Sequence, residues 1–133
     1  MLPYILHVSR RGLAAAALLS LAVSPLIAAT VSGNVTYPGH EGLLFRAHID
    51  RIEPEHTFVF RWCPFATDPG TDFSDMPTTT VEFRLEPDGD GTHLTITESG
   101  FDALPEEHRS ECFIRNEGGW KIQVENITNY VDG

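Results

Sequence analysis

Acid–base or nucleophilic catalysis needs a titratable side chain in a setting that shifts its pKa, beside a group able to share its proton. In this 133-residue chain only Glu98, Glu117 and Arg84 stand where an interior site would reach them, and no spacing ties any of the three to a partner. Cys63, followed by Pro64, has no histidine linked to it by spacing and reads as a structural thiol rather than a nucleophile. His7, His40, His48, His56, His93 and His108 lack the close spacings of metal ligands. Asp88-Gly89-Asp90-Gly91 resembles the start of a calcium loop without its closing glutamate, and turn chemistry accounts for it better. Gly-x-Ser-x-Gly, phosphate-loop and paired-cysteine motifs do not occur. The expectation is no catalytic residue, no metal and no cofactor.

The elements that would position a site are legible from periodicity. Phe113, Asn116, Trp120, Val124, Ile127 and Val131 recur at helical spacing, with Glu111, Arg115, Lys121, Glu125 and Asn129 on the opposite side. This predicts one long amphipathic helix over 105–131, with Pro105 in the first turn and Glu106 and Glu107 favoured there by the helix dipole. Gly118 and Gly119 fall inside it, which predicts a kink or a close packing contact. Before it the period is two. Val31, Gly33, Val35 and Tyr37 alternate with polar residues, as do Phe45, Ala47 and Ile49, then Phe58, Phe60 and Trp62, then Val81, Phe83 and Leu85, then Leu94 and Ile96. Asp-Gly dipeptides at 88–91 predict a tight hairpin between the last two. The long stretch Pro64–Pro77 reads as a loop. The fold class is α+β: a curved antiparallel sheet of about five strands packed on a long C-terminal helix.

Length and the lack of internal repeats argue for one domain. The composition is globular, 41% hydrophobic and 21% charged, with net charge −10. From Ala29 onward seven Lys plus Arg face nineteen Asp plus Glu, or −12. Such a body repels phosphate backbones, so nucleic acid is excluded as the expected partner. Residues 1–29 form a separate segment. Arg10-Arg11 precedes an uncharged run from Gly12 to Ala29, the pattern of an export leader or of a substituted hydrophobic start. Cys63 and Cys112 allow a single bridge, and only in an exported chain.

Val81-Glu-Phe-Arg-Leu-Glu86, Gly91-Thr-His-Leu-Thr-Ile-Thr-Glu-Ser-Gly-Phe101, Glu117-Gly-Gly-Trp120 and Val124-Glu-Asn-Ile127, with Arg51-Ile52-Glu53-Pro54 leading to Phe60-Arg61-Trp62, resemble the bacterial relatives of the heat-shock protein 90 ATPase activator, within the START-like superfamily that also holds polyketide cyclases. The likeness covers roughly residues 29–131. It implies a helix-grip fold over residues 30–133 with a cavity between sheet and helix. The usual first strand and two short helices of that family are not recognisable here, which leaves an unpaired sheet edge open to self-association. Two uses are open for the inward stripe. It fills the core, or, as the resemblance implies, Phe45, Ile49, Phe58, Phe60, Trp62, Val81, Phe83, Trp120, Val124 and Ile127 line a pocket for an apolar small molecule. The leading expectation is a non-enzymatic module binding a hydrophobic small molecule. A chaperone-interaction protein comes next, and a cyclase- or hydrolase-type enzyme last. The resemblance implies a cytoplasmic location, and the leader-like segment an exported or membrane-associated one.

Overall fold

The computed structural model describes residues 4–11, 29–34, 38–39, 41–42, 44–65 and 75–132. Six strands form one antiparallel sheet: β1 (Tyr4–Arg11), β2 (Ala29–Asn34), β3 (Leu44–Glu53), β4 (Thr57–Trp62), β5 (Thr79–Asp88) and β6 (Gly91–Ser99). Their spatial order is β1-β6-β5-β4-β3-β2. A short 3₁₀ turn at Phe101–Ala103 leads into one long helix, α1 (Glu106–Asp132). This is the α+β helix-grip architecture that the sequence predicts.

The sheet has one strand more than the five expected. Tyr4–Arg11, the basic start of the leader-like segment, pairs with β6 along its length, from Tyr4 opposite Glu98 to Arg11 opposite Gly91. The edge expected to lack a partner is therefore occupied. An apolar stretch ending in two arginines suits a strand as well as a leader, so the residues alone did not separate the two. The run 12–28 that carries the rest of the leader reading lies outside the described residues, as do Val35, Tyr37, His40 and the middle of the 64–77 loop. Among the described residues no helix is long and apolar enough to cross a membrane.

Strand register explains which side chains meet. Phe60 lies opposite Val81 and Trp62 opposite Thr79. Val81 lies opposite Glu98 and Phe83 opposite Ile96. Since alternate residues share a face, Phe58, Phe60, Trp62, Thr79, Val81, Phe83, Leu94, Ile96 and Glu98 all lie on one side. The register of β3 shifts between Ile49 and Arg51, a bulge. It lets Ile49 and Ile52, three residues apart, lie opposite Phe60 and Phe58 respectively. The β5–β6 hairpin closes with Asp88 opposite Gly91, and Gly89 holds φ +61°, a left-handed angle that glycine adopts without steric cost.

Helix α1 starts immediately after Pro105, whose carbonyl accepts the backbone N–H of His108 at 3.0 Å and of Arg109 at 3.1 Å. Each of the six predicted stripe residues is half-buried, and each of the five predicted outer residues is exposed. Two clusters form the core. Ala47, Phe60, Val81, Leu85, Leu94 and Ile96 make the larger, and Phe101, Leu104 and Cys112 the smaller. Trp120 packs against both.

The expected close contact at Gly118 and Gly119 is not there. A Cβ at either position would meet nothing within 4 Å among the described residues, and α1 runs unbroken through both. No described side chain covers this part of the helix flank, so among the described residues neither glycine relieves a clash. Gly118→Ala is accordingly expected to raise unfolding stability by about 0.5–1 kcal/mol in urea titrations, because the helix-propensity gain meets no steric opposition.

Asp50, on the bulge, accepts hydrogen bonds from Arg61 Nε at 2.7 Å and Nη2 at 3.0 Å. This pairing holds the Asp50 carboxyl below the usual aspartate range. With the folded value depressed, the pair's stabilisation is present above the unfolded pKa of about 4 and is lost as pH falls through the lower folded value. The pair is solvent-exposed, which limits its contribution to a few tenths of a kcal/mol, about the median for such pairs. Asp50→Asn is expected to flatten the acid limb of the stability–pH curve by that amount while leaving stability at pH 7 to 9 parallel to that of the parent chain.

Candidate functional site

The centre of the molecule is a carboxylate. Glu98 is fully buried, at 0% exposure. It lies on β6 at an inward position, in line with Leu94 and Ile96, where the alternation otherwise supplies apolar side chains. An unpartnered carboxylate there would cost several kcal/mol of lost hydration. Four donors offset that cost. Trp62 Nε1 donates to Oε1 at 2.9 Å and Thr79 Oγ1 to the same oxygen at 2.5 Å. Trp120 Nε1 donates to Oε2 at 2.6 Å. Asn116 Nδ2 reaches both oxygens, at 3.1 and 3.3 Å. Trp62 comes from β4, Thr79 from β5, and Asn116 and Trp120 from successive turns of α1. One side chain thus binds three strands and the helix together.

The aromatic residues close around this tie. Trp120 packs its ring against Trp62, with centroids 6.1 Å apart, and edge-on against Phe83 at 5.7 Å. Phe60 stacks with Phe83 at 6.3 Å, and Phe45 tilts against Trp62 at 5.9 Å. Of the ten residues expected to line a pocket, nine gather in or against the larger cluster: Phe45, Phe58, Phe60, Trp62, Val81, Phe83, Trp120, Val124 and Ile127. Ile49 is half-buried on β3 outside it. The rings are in mutual contact over most of this stripe, so much of it is packed core.

Open space lies at the tryptophan end. A hollow of about 230 Å³ is lined, among the described residues, by Trp62, Arg115, Asn116, Gly119, Trp120 and Gln123. Only two of these belong to the predicted set. The other four sit on α1: Asn116 on the predicted inner stripe, Arg115 on the predicted outer side, and Gly119 and Gln123 on neither. Asn116 alone carried a signal, as the one polar residue in an otherwise apolar stripe. Arg115 is held at the rim by Nη2, which donates to the carbonyl of Pro64 and lies 3.7 Å from Cys112 Sγ.

Of the three positions singled out for acid–base chemistry, only Glu98 reaches the interior. Arg84 is exposed and lies 3.5 Å from Glu82, while Glu117 pairs with Lys121 at 3.4 Å on the helix surface. Both cysteines are free thiols, Cys63 half-buried and Cys112 buried, and burial pushes the Cys112 thiol up. That is the opposite of what activates a thiolate nucleophile.

A six-stranded sheet gripping one C-terminal helix, with a polar tie and a small hollow between them, defines a START-like helix-grip protein. The chain belongs to the family described as Activator of Hsp90 ATPase homolog 1-like protein, whose model matches residues 25–132. Among solved structures it is similar to DynU16, a protein of the dynemicin biosynthetic locus, at TM-score 0.64 and 18% identity over 98% of this chain. The chain spans 47% of the length of DynU16, about half. It is also similar to MLL2253 of Mesorhizobium loti, at TM-score 0.59 and 20% identity, over 98% of this chain and 93% of that one. CalU16 of Micromonospora echinospora follows, at 0.51 and 15%, over 98% and 87%. At these identities the likeness is one of fold. No curated protein matches the chain.

The tie has a measurable weight. Glu98→Ala strands four donors at once and is expected to cost about 3 kcal/mol or more in urea unfolding, whereas Thr79→Val, which removes one neutral donor, is expected to cost about 1 kcal/mol. A Glu98→Ala cost under half a kcal/mol would contradict the assignment.

Proposed function

We propose that this chain is a non-enzymatic binding protein that takes a compact apolar molecule between the sheet and α1, with Trp62 and Trp120 as its main contact surface. The observation that carries the reading is the hollow beside these two indoles. Trp62 and Trp120 line it with one flank of α1, it opens to solvent, and its 230 Å³ leaves room for a group the size of one ring. It falls short of the ~300–1,000 Å³ of drug-sized sites. One substituted ring or a short branched chain is the matching size.

Burial of apolar surface drives such binding, and the indoles, fixed through their N–H groups, give up little side-chain entropy on contact. The non-catalytic reading is supported by the state of Glu98. Its oxygens already accept from four donors among the described residues, so a reacting group would have to displace a donor to reach it. The wider set of Phe45, Ile49, Phe58, Phe60, Val81, Phe83, Val124 and Ile127 acts in this proposal as the supporting wall.

Gly119 supplies the test. Gly119 lines the hollow, and a Cβ there meets no other described residue within 4 Å. Small monocyclic aromatics titrated against the protein are expected to change tryptophan fluorescence and raise the melting temperature by mass action. Gly119→Leu is expected to abolish both responses while keeping or raising the melting temperature of the free protein. Equal responses in parent and Gly119→Leu proteins would place the ligand elsewhere and end the proposal.

A further inference from the structure

We infer that the ligand of this hollow carries a positively charged or strongly hydrogen-bond-donating group, an ammonium on a small ring being the simplest example. The inference rests on the binding reading above and adds the charge of the guest.

It follows from where the donors point. Glu98 accepts both indole N–H groups and the Asn116 amide nitrogen. Those atoms are consequently spent on the carboxylate. What Trp62 and Trp120 have left to offer the hollow is ring carbon, and what Asn116 has left is its carbonyl Oδ1. Indole faces are the strongest aromatic partners for cations. An indole whose N–H is bonded to an anion has its ring polarised further towards negative. Glu98 itself is fully buried, within hydrogen-bond reach of both indole nitrogens, where screening by water is weak. The chain as a whole carries net charge −10, which favours the approach of cations over that of anions.

One charge opposes this. Arg115 also lines the hollow. Its side chain is exposed and already engaged with the Pro64 carbonyl, so its field is screened by solvent in a way that of Glu98 is not. Gln123 is exposed at the rim, with its Oε1 accepting from Asn126 at 3.5 Å. The balance favours a cation over an anion, and it makes Arg115 a brake on affinity.

The test uses three ring compounds of matched size on the full chain, with binding read by calorimetry and tryptophan fluorescence: phenethylammonium, propylbenzene and 3-phenylpropionate. Phenethylammonium is expected to bind about three- to thirty-fold tighter than propylbenzene, the range cation–π contacts supply, and 3-phenylpropionate weakest of the three. Arg115→Ala, at a residue with no hydrogen bond to Glu98 among those described, is expected to widen the ratio of phenethylammonium to propylbenzene affinity several-fold. Equal binding of phenethylammonium and propylbenzene overturns the charge inference while keeping the hollow as a binding site. Preference for 3-phenylpropionate that disappears in Arg115→Ala overturns it in favour of an anion site. Failure of all three to bind a folded protein overturns the binding reading together with the inference.

Discussion

A carboxylate without water must be surrounded by donors, and that constraint organises this protein. Glu98 sits at an inward position of the sheet where any apolar residue would satisfy packing. Instead it demands donors from β4, β5 and two turns of α1. Hydrophobic contact between a helix and a sheet is non-directional and tolerates sliding or rotation. Four hydrogen bonds to one buried group do not. The tie therefore specifies where α1 lies on the sheet, while the phenylalanine and tryptophan rings supply most of the burial.

The same arrangement accounts for the shape of the space that remains. Trp62 and Trp120 are drawn edge-first towards Glu98, and both rings border the hollow. The adjacent flank of α1 carries Gly119, which contributes no side chain to fill the gap. A ring-sized hollow follows from two indoles held by their nitrogens and a helix turn without a Cβ. Membership of the Activator of Hsp90 ATPase homolog 1-like family places these features in a known fold.

Much of the architecture was legible because period-two and helical alternation read directly as faces. The stripe Phe113, Asn116, Trp120, Val124, Ile127 and Val131 is the inner side of α1, and the inward residues of β4, β5 and β6 follow their alternation. Two features escaped. Tyr4–Arg11 joins the sheet through backbone bonds to β6, which basic and apolar side chains do not announce. The bulge at β3 shifts register by a residue without any proline or glycine to mark it. The site was half-visible. Glu98 was noted as an interior candidate, yet its partners come from positions 36 residues before it to 22 after it, and only folding brings them within hydrogen-bond reach. Polar residues on apolar stripes, Thr79, Glu98 and Asn116 together, are the sequence signature of such a tie.

The chain contains two tryptophans, so its indole N–H groups give two resolvable proton signals. Nuclear magnetic resonance of these protons reports directly on the tie. If both indoles donate to a buried carboxylate, both signals lie downfield of free indole and exchange with solvent orders of magnitude more slowly than exposed indoles. Two sharp, rapidly exchanging signals at free-indole positions in the folded protein would mean that Trp62 and Trp120 do not hold Glu98, and the account of how helix, sheet and hollow are fixed would fail.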